Sequence, residues 1–148
     1  MAARITALSL GLLLTVLLAA LVPGTQAQEP GQWLIGTWNG AHQNSRMTIL
    51  KDASRFVFSR DGDIIRWSMI RDSETRGLNG HMEAEGAVTK LSDSAVELTG
   101  RYTARSSLNE FVGRELVYKL RRSGNVLEGE TFGGSNAGIF SLRMTKAE

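Results

Sequence analysis

The run Glu115-Leu116-Val117-Tyr118-Lys119-Leu120-Arg121-Arg122-Ser123-Gly124-Asn125-Val126-Leu127-Glu128-Gly129-Glu130 decides the fold. Leu116, Tyr118 and Leu120 recur at every second position with Lys119 between them, a period of two that gives a strand one dry face and one wet face. Ser123-Gly124-Asn125 is a tight hairpin signal. Beyond it Leu127 takes the opposite parity to Glu128 and Glu130. The segment predicts two antiparallel strands, 111–122 and 125–132, sharing one apolar side.

Working outward, the same alternation predicts strands near 34–42, 46–51, 54–59, 63–71, 81–90, 95–104 and 138–145. Arg60-Asp61-Gly62-Asp63, Ser92-Asp93-Ser94 and Gly133-Gly134-Ser135-Asn136 supply the turns between them. Consecutive hairpins make a meander, and a meander of eight or nine strands leaves two raw edges unless it closes on itself. The expected fold is therefore all-β, an antiparallel up-and-down β-barrel of eight to nine strands. Trp38, Phe56, Phe58, Trp67, Met69, Val88, Tyr102, Val112 and Phe140 fall on the inner face, as does Arg114 unless a bulge at Gly113 turns it out. Pro30–Leu34 is expected to form a short turn plugging one end, with Trp33 as the stopper.

The chain has 148 residues, 17 Lys and Arg, 15 Asp and Glu, and no cysteine. Residues 1–27 read as a secretory signal peptide: Arg4, an apolar run from Ile5 to Val22, a helix break at Pro23-Gly24, and small residues before a cleavage point after Ala27. The alternative is an uncleaved anchor, since the run is only slightly shorter than a membrane span. Cleavage places the remaining 28–148 in the periplasm or outside the cell as a single domain, with no further membrane span. Lacking cysteine, the chain excludes disulfides, lipid attachment at a cysteine and thiolate metal sites. Only Arg4 of the charged residues lies in the leader, so the remainder carries +1 with both signs interspersed, which argues against nucleic acid as a partner.

The stretch Leu34-Ile35-Gly36-Thr37-Trp38 resembles the Gly-x-Trp opening of the first strand of calycins, the superfamily of lipocalins, fatty-acid-binding proteins and avidins. That resemblance implies a lipocalin-like barrel in which Gly36 allows close approach and Trp38 closes one end beneath an arginine from a late strand. Arg143, Arg122 and Arg114 are the candidates, Arg143 only if the last strand bulges. Asn44-Ser45, Met47-Thr48-Ile49 and Leu98-Thr99-Gly100-Arg101-Tyr102 are similar to the avidin branch. Biotin is nevertheless not expected, because no tryptophan follows Trp67 and Asn39 is one position out of phase with the avidin pattern. Haem-binding barrels with a similar opening need a late histidine, and both histidines here, His42 and His81, are early.

No catalytic constellation stands out: no serine lies in a Gly-x-Ser-x-Gly elbow, and no carboxylate pair is segregated. His42 and His81 read as isolated surface histidines, and Asp61-Gly62-Asp63 as a turn without the further donors of a calcium loop, so neither a metal nor a cofactor is expected. The aromatic wall Trp67, Tyr102 and Tyr118, with inward Arg114 as a charge contact, defines a candidate site for a small amphipathic or anionic ligand in the barrel mouth. The alternative is a filled barrel that works as a protein-interaction module, an inhibitor or envelope accessory factor, through the polar connections 72–80 and 104–110. Homo-oligomers through barrel edges stay open.

Overall fold

The computed structural model describes residues 28–44, 49–75, 78–105, 112–133 and 140–148; the predicted leader, 1–27, and parts of four connections lie outside them. Eight strands follow in order: β1 Gly36–Gln43, β2 Ile49–Asp61, β3 Ile64–Thr75, β4 Leu78–Leu91, β5 Ala95–Arg105, β6 Glu115–Ser123, β7 Val126–Gly133 and β8 Phe140–Lys146. Each pairs antiparallel with the next, and β8 returns to β1 from Trp38↔Lys146 to Gln43↔Ser141, closing the barrel. This is the up-and-down barrel the alternation implies. The architecture is compatible with a calycin-like fold.

The strand count falls at the low end of the expected range because 46–51 and 54–59 are not separate. Asp52 and Ala53, read as a break, pair with Ser73 and Asp72 inside a continuous β2. An aspartate is tolerated there because its carboxylate is hydrogen-bonded within the wall. The supposed long connection at 72–80 also shrinks, since β3 runs to Thr75 and β4 starts at Leu78.

The expected inner residues converge on one core containing Trp38, Phe56, Phe58, Trp67, Met69, Leu116, Tyr118 and Leu120, all buried. Phe56, Trp67 and Tyr118 meet mutually, with ring centroids 5.4–6.0 Å apart and Tyr118 edge-on to both others. Val88 and Tyr102 pack half-buried against this core, and Phe140 is also half-buried. Val112 corrects the expectation: it is 47% exposed.

The cause is a bulge at Gly113, whose φ is +83°. The Gly113 N–H donates to the Tyr102 carbonyl at 2.8 Å, while the Tyr102 N–H donates to the Arg114 carbonyl at 3.2 Å, so one residue of β5 faces two. The extra residue changes the phase ahead of β6. Arg114 is exposed as a result, not inward.

One end of the barrel is stoppered. The turn over Glu29–Ile35 carries three i→i+3 bonds, and Leu34 rather than Trp33 is the plug, fully buried beneath it. The Trp38 indole N–H donates to the Leu34 carbonyl at 2.8 Å. Trp33 stays half-buried, edge-on to Trp38, with the Arg122 guanidinium 4.3 Å from its ring centroid. The late-strand arginine thus covers Trp33, and a lysine, Lys146, lies over Trp38, 5.9 Å from its ring centroid. Arg143 points outward to Glu128, 2.6 Å away.

Mid-barrel, Gly86 and Gly100 face each other and the Trp67 indole. A Cβ on Gly86 would meet the Thr99 carbonyl oxygen at 2.0 Å, and one on Gly100 would meet the Glu85 carbonyl oxygen at 2.1 Å and Trp67 Cζ2 at 2.5 Å. The collisions with Thr99 and Glu85 are with backbone, which cannot swing aside. Gly86→Ala is expected to lower stability by about 1–3 kcal/mol through overpacking, read as a reduced urea midpoint with an unchanged slope.

Candidate functional site

Extending the period of two beyond the hydrophobic residues brings polar side chains from three strands together. On β1, Trp38 is followed at equal parity by Gly40 and His42; on β2, Phe56 is preceded by Ser54 and Asp52; on β3, Met69 is followed by Arg71. All lie toward the end from which the β1–β2, β3–β4, β5–β6 and β7–β8 connections leave, opposite the Leu34 plug.

The β1–β2 ladder stops at Gly40↔Ser54, and the Asp52 side chain takes over from it. Asp52 Oδ2 accepts the His42 backbone N–H at 2.5 Å and faces His42 Nδ1 at 3.2 Å. Its other oxygen, Oδ1, accepts the Arg71 Nε–H at 2.6 Å. His42 and Arg71 are only 2% and 6% exposed, so this is an ion pair with an attached imidazole inside the barrel wall. Arg71 also lies over Phe140, 5.4 Å from the ring centroid.

Environment sets the charges. Burial pushes the His42 pKa from 6.5 down to about 4, against the raising influence of its hydrogen bond to Asp52 and with help from the Arg71 charge. Burial acts to raise the Asp52 pKa, but the His42 hydrogen bond, the Arg71 charge and the His42 amide outweigh it and hold the carboxyl at about 2. Near neutral pH the cluster is therefore a carboxylate, a guanidinium and a neutral imidazole, with no net charge. Tyr118, fully buried, has its phenol pKa raised well above 10 by burial and donates its O–H to Met69 Sδ at 3.3 Å.

Buried side-chain atoms at this end without a hydrogen-bond partner include His42 Nε2, Ser54 Oγ, Ser73 Oγ and Thr131 Oγ1. Because Ser54 Oγ and His42 Nε2 are both unpartnered, they are not bonded to each other, and Ser54-His42-Asp52 is not an assembled nucleophilic triad. A base held at about 4 is also poorly matched to proton abstraction near neutral pH.

The four residues proposed from sequence do not form one pocket. Trp67 and Tyr118 are buried in the packed centre, Tyr102 is half-buried beside them, and Arg114 is exposed at the bulge with its own partner. Gly36, with φ +119°, and Trp38 lie at the stoppered end. His42 is not a surface histidine but the centre of the buried cluster. His81 is not isolated either: Nδ1 lies 2.8 Å from Asp72 and Nε2 3.1 Å from Glu83, and those carboxylates raise its pKa in that order. Among the described residues no group of three or more His, Cys, Asp or Glu is placed to hold a metal ion. Nor is any helix among them long and apolar enough to cross a membrane.

A concavity lies on the outer face of β2–β6, a groove of about 780 Å³. Gly86, Gly100 and Trp67 line it beneath Arg66, Arg101, Glu85 and Glu115. Compared with protein-family models and with curated proteins, the chain matches none.

The cluster makes stability depend on acid. Between pH 6.5 and 4 the unfolded chain holds a proton on His42 that the folded chain refuses, so acidification favours unfolding; Asp52 adds to this from 3.8 down to about 2. Unfolding free energy is expected to fall by on the order of 3 kcal/mol between pH 7 and pH 4 from His42 alone, a slope that His42→Phe should flatten in urea titrations at each pH. Asp52→Asn, which leaves the Arg71 guanidinium buried without its counter-charge, is expected to cost about 3–5 kcal/mol. Ser54→Ala, removing a hydroxyl with no partner, should change stability by no more than about 0.5 kcal/mol or raise it.

Proposed function

We propose that this protein is an exported, calycin-like barrel that binds a small, neutral, amphipathic molecule at the end opposite the Leu34 plug. The observation that carries this reading is the set of unpartnered, buried polar atoms on β1, β2 and β7 beside the Phe56 and Tyr118 rings. Buried polar groups are ordinarily satisfied, and one left open costs about 1–3 kcal/mol. A bound molecule supplying the missing hydrogen bonds recovers that cost. Tyr102 and Phe140, both half-buried, serve as apolar walls, and Tyr118 with Trp67 beneath it serves as the floor.

The charge balance favours a neutral ligand over an anion. Arg71 is neutralised by Asp52, and Arg114 lies outside. Export rests on the leader and its cleavage point after Ala27. A second reading, a filled barrel that meets a protein partner, is favoured by the groove across β2–β6, with arginines and glutamates of both signs along it.

Native mass spectrometry of the protein recovered without denaturation from the envelope or medium fraction tests the first reading. A stoichiometric small-molecule adduct is expected, and it should disappear in Ser54→Leu, which fills the polar end. A bare polypeptide mass, with a protein partner co-purifying instead, would favour the groove.

A further inference from the structure

We propose that His42 makes this end of the barrel selective for molecules that bring a hydrogen-bond donor, an O–H or N–H beside an apolar ring, over molecules of the same shape that lack it. The inference rests on the small-molecule reading above and adds the ligand's chemical class.

The tautomer follows from the neighbours. A carboxylate only accepts, so the proton shared across the 3.2 Å contact between His42 Nδ1 and Asp52 Oδ2 belongs to the imidazole. A second proton, on Nε2, would create another buried cation beside Arg71, which Asp52 already neutralises. Nε2 is therefore a bare acceptor, the ring nitrogen farther from the backbone, on a side chain that projects inward. Its orientation is fixed twice over, because the same carboxylate oxygen also holds the His42 backbone N–H.

Among the described residues none donates to it. The Tyr118 ring lies 6.1 Å from the imidazole, but its O–H is committed to Met69 Sδ. Phe56, 6.5 Å away and nearly parallel, has nothing to donate. The Ser54 and Thr131 hydroxyls remain unpartnered themselves. A fixed acceptor among aromatic rings, with no donor from the described residues, discriminates strongly: a ligand lacking the hydrogen leaves the acceptor stranded.

Phenol and toluene are matched in shape and differ in that hydrogen, and they serve as probes in NMR titrations of the full barrel. Phenol is expected to bind wild type at least about tenfold tighter than toluene, although toluene is the more hydrophobic. Phenol should also move the Nε2 nitrogen resonance where toluene does not, a readout that needs no substitution. In His42→Phe the preference should invert. Toluene binding as well as phenol, or phenol binding without moving Nε2, overturns the selectivity while leaving a small-molecule site in place. If neither probe shifts His42, Tyr118 or Thr131 up to its solubility limit, the selectivity and the site fall together.

Discussion

The ladder between the first and last strands is the constraint on which the rest depends. Six consecutive pairs join β1 to β8, from Trp38↔Lys146 to Gln43↔Ser141, and they turn an open meander into a tube without edges. Once closed, the tube sends every second side chain into one shared volume, so Trp38, Phe56, Trp67 and Tyr118 have to pack against one another. The stoppered end follows from the same closure. The C-terminal residues Lys146 and Ala147 bond to the carbonyls of Trp33 and Thr37, tying the chain's tail to the turn that holds Leu34.

The two ends differ in kind. At the plug, hydrogen bonding is largely backbone-based: the Trp38 indole, the Lys146 ammonium and the turn N–H groups find carbonyls, and the buried Trp33 Nε1 is left without a partner. At the other end the wall is held by a single carboxylate that substitutes for the missing rung between β1 and β2 and neutralises Arg71. Rigidity there comes from charge and hydrogen bonding, which are directional and leave specific atoms unpaired. Apolar packing alone would leave no such remainder.

Most of the barrel is readable in the sequence because its core is apolar and its period is short. Phe56, Phe58, Trp67, Met69, Leu116, Tyr118 and Leu120 announce their face by alternation, and Gly62 and Gly124 mark hairpins whose φ is +60° at both. The polar cluster is harder to see because hydropathy reads Asp52, Arg71 and His42 as surface. Parity carried through from Phe56, Met69 and Trp38 assigns all three inward, so the signal is present but opposed by residue type. Arg114 shows the converse failure. Its parity points in, yet a glycine before it permits the left-handed backbone that inserts an extra residue, and only the backbone conformation decides which rule wins.

Gly86 and Gly100 leave the wall around Trp67 only one peptide layer thick. The indole is packed into the interior against Tyr118, while Trp67 is also one of the residues lining the outer groove. Its N–H is tied to the Ala87 carbonyl at 3.2 Å on that wall. The partition at this point is a single layer of backbone, so any change in the spacing of β4 and β5 reaches the buried indole directly.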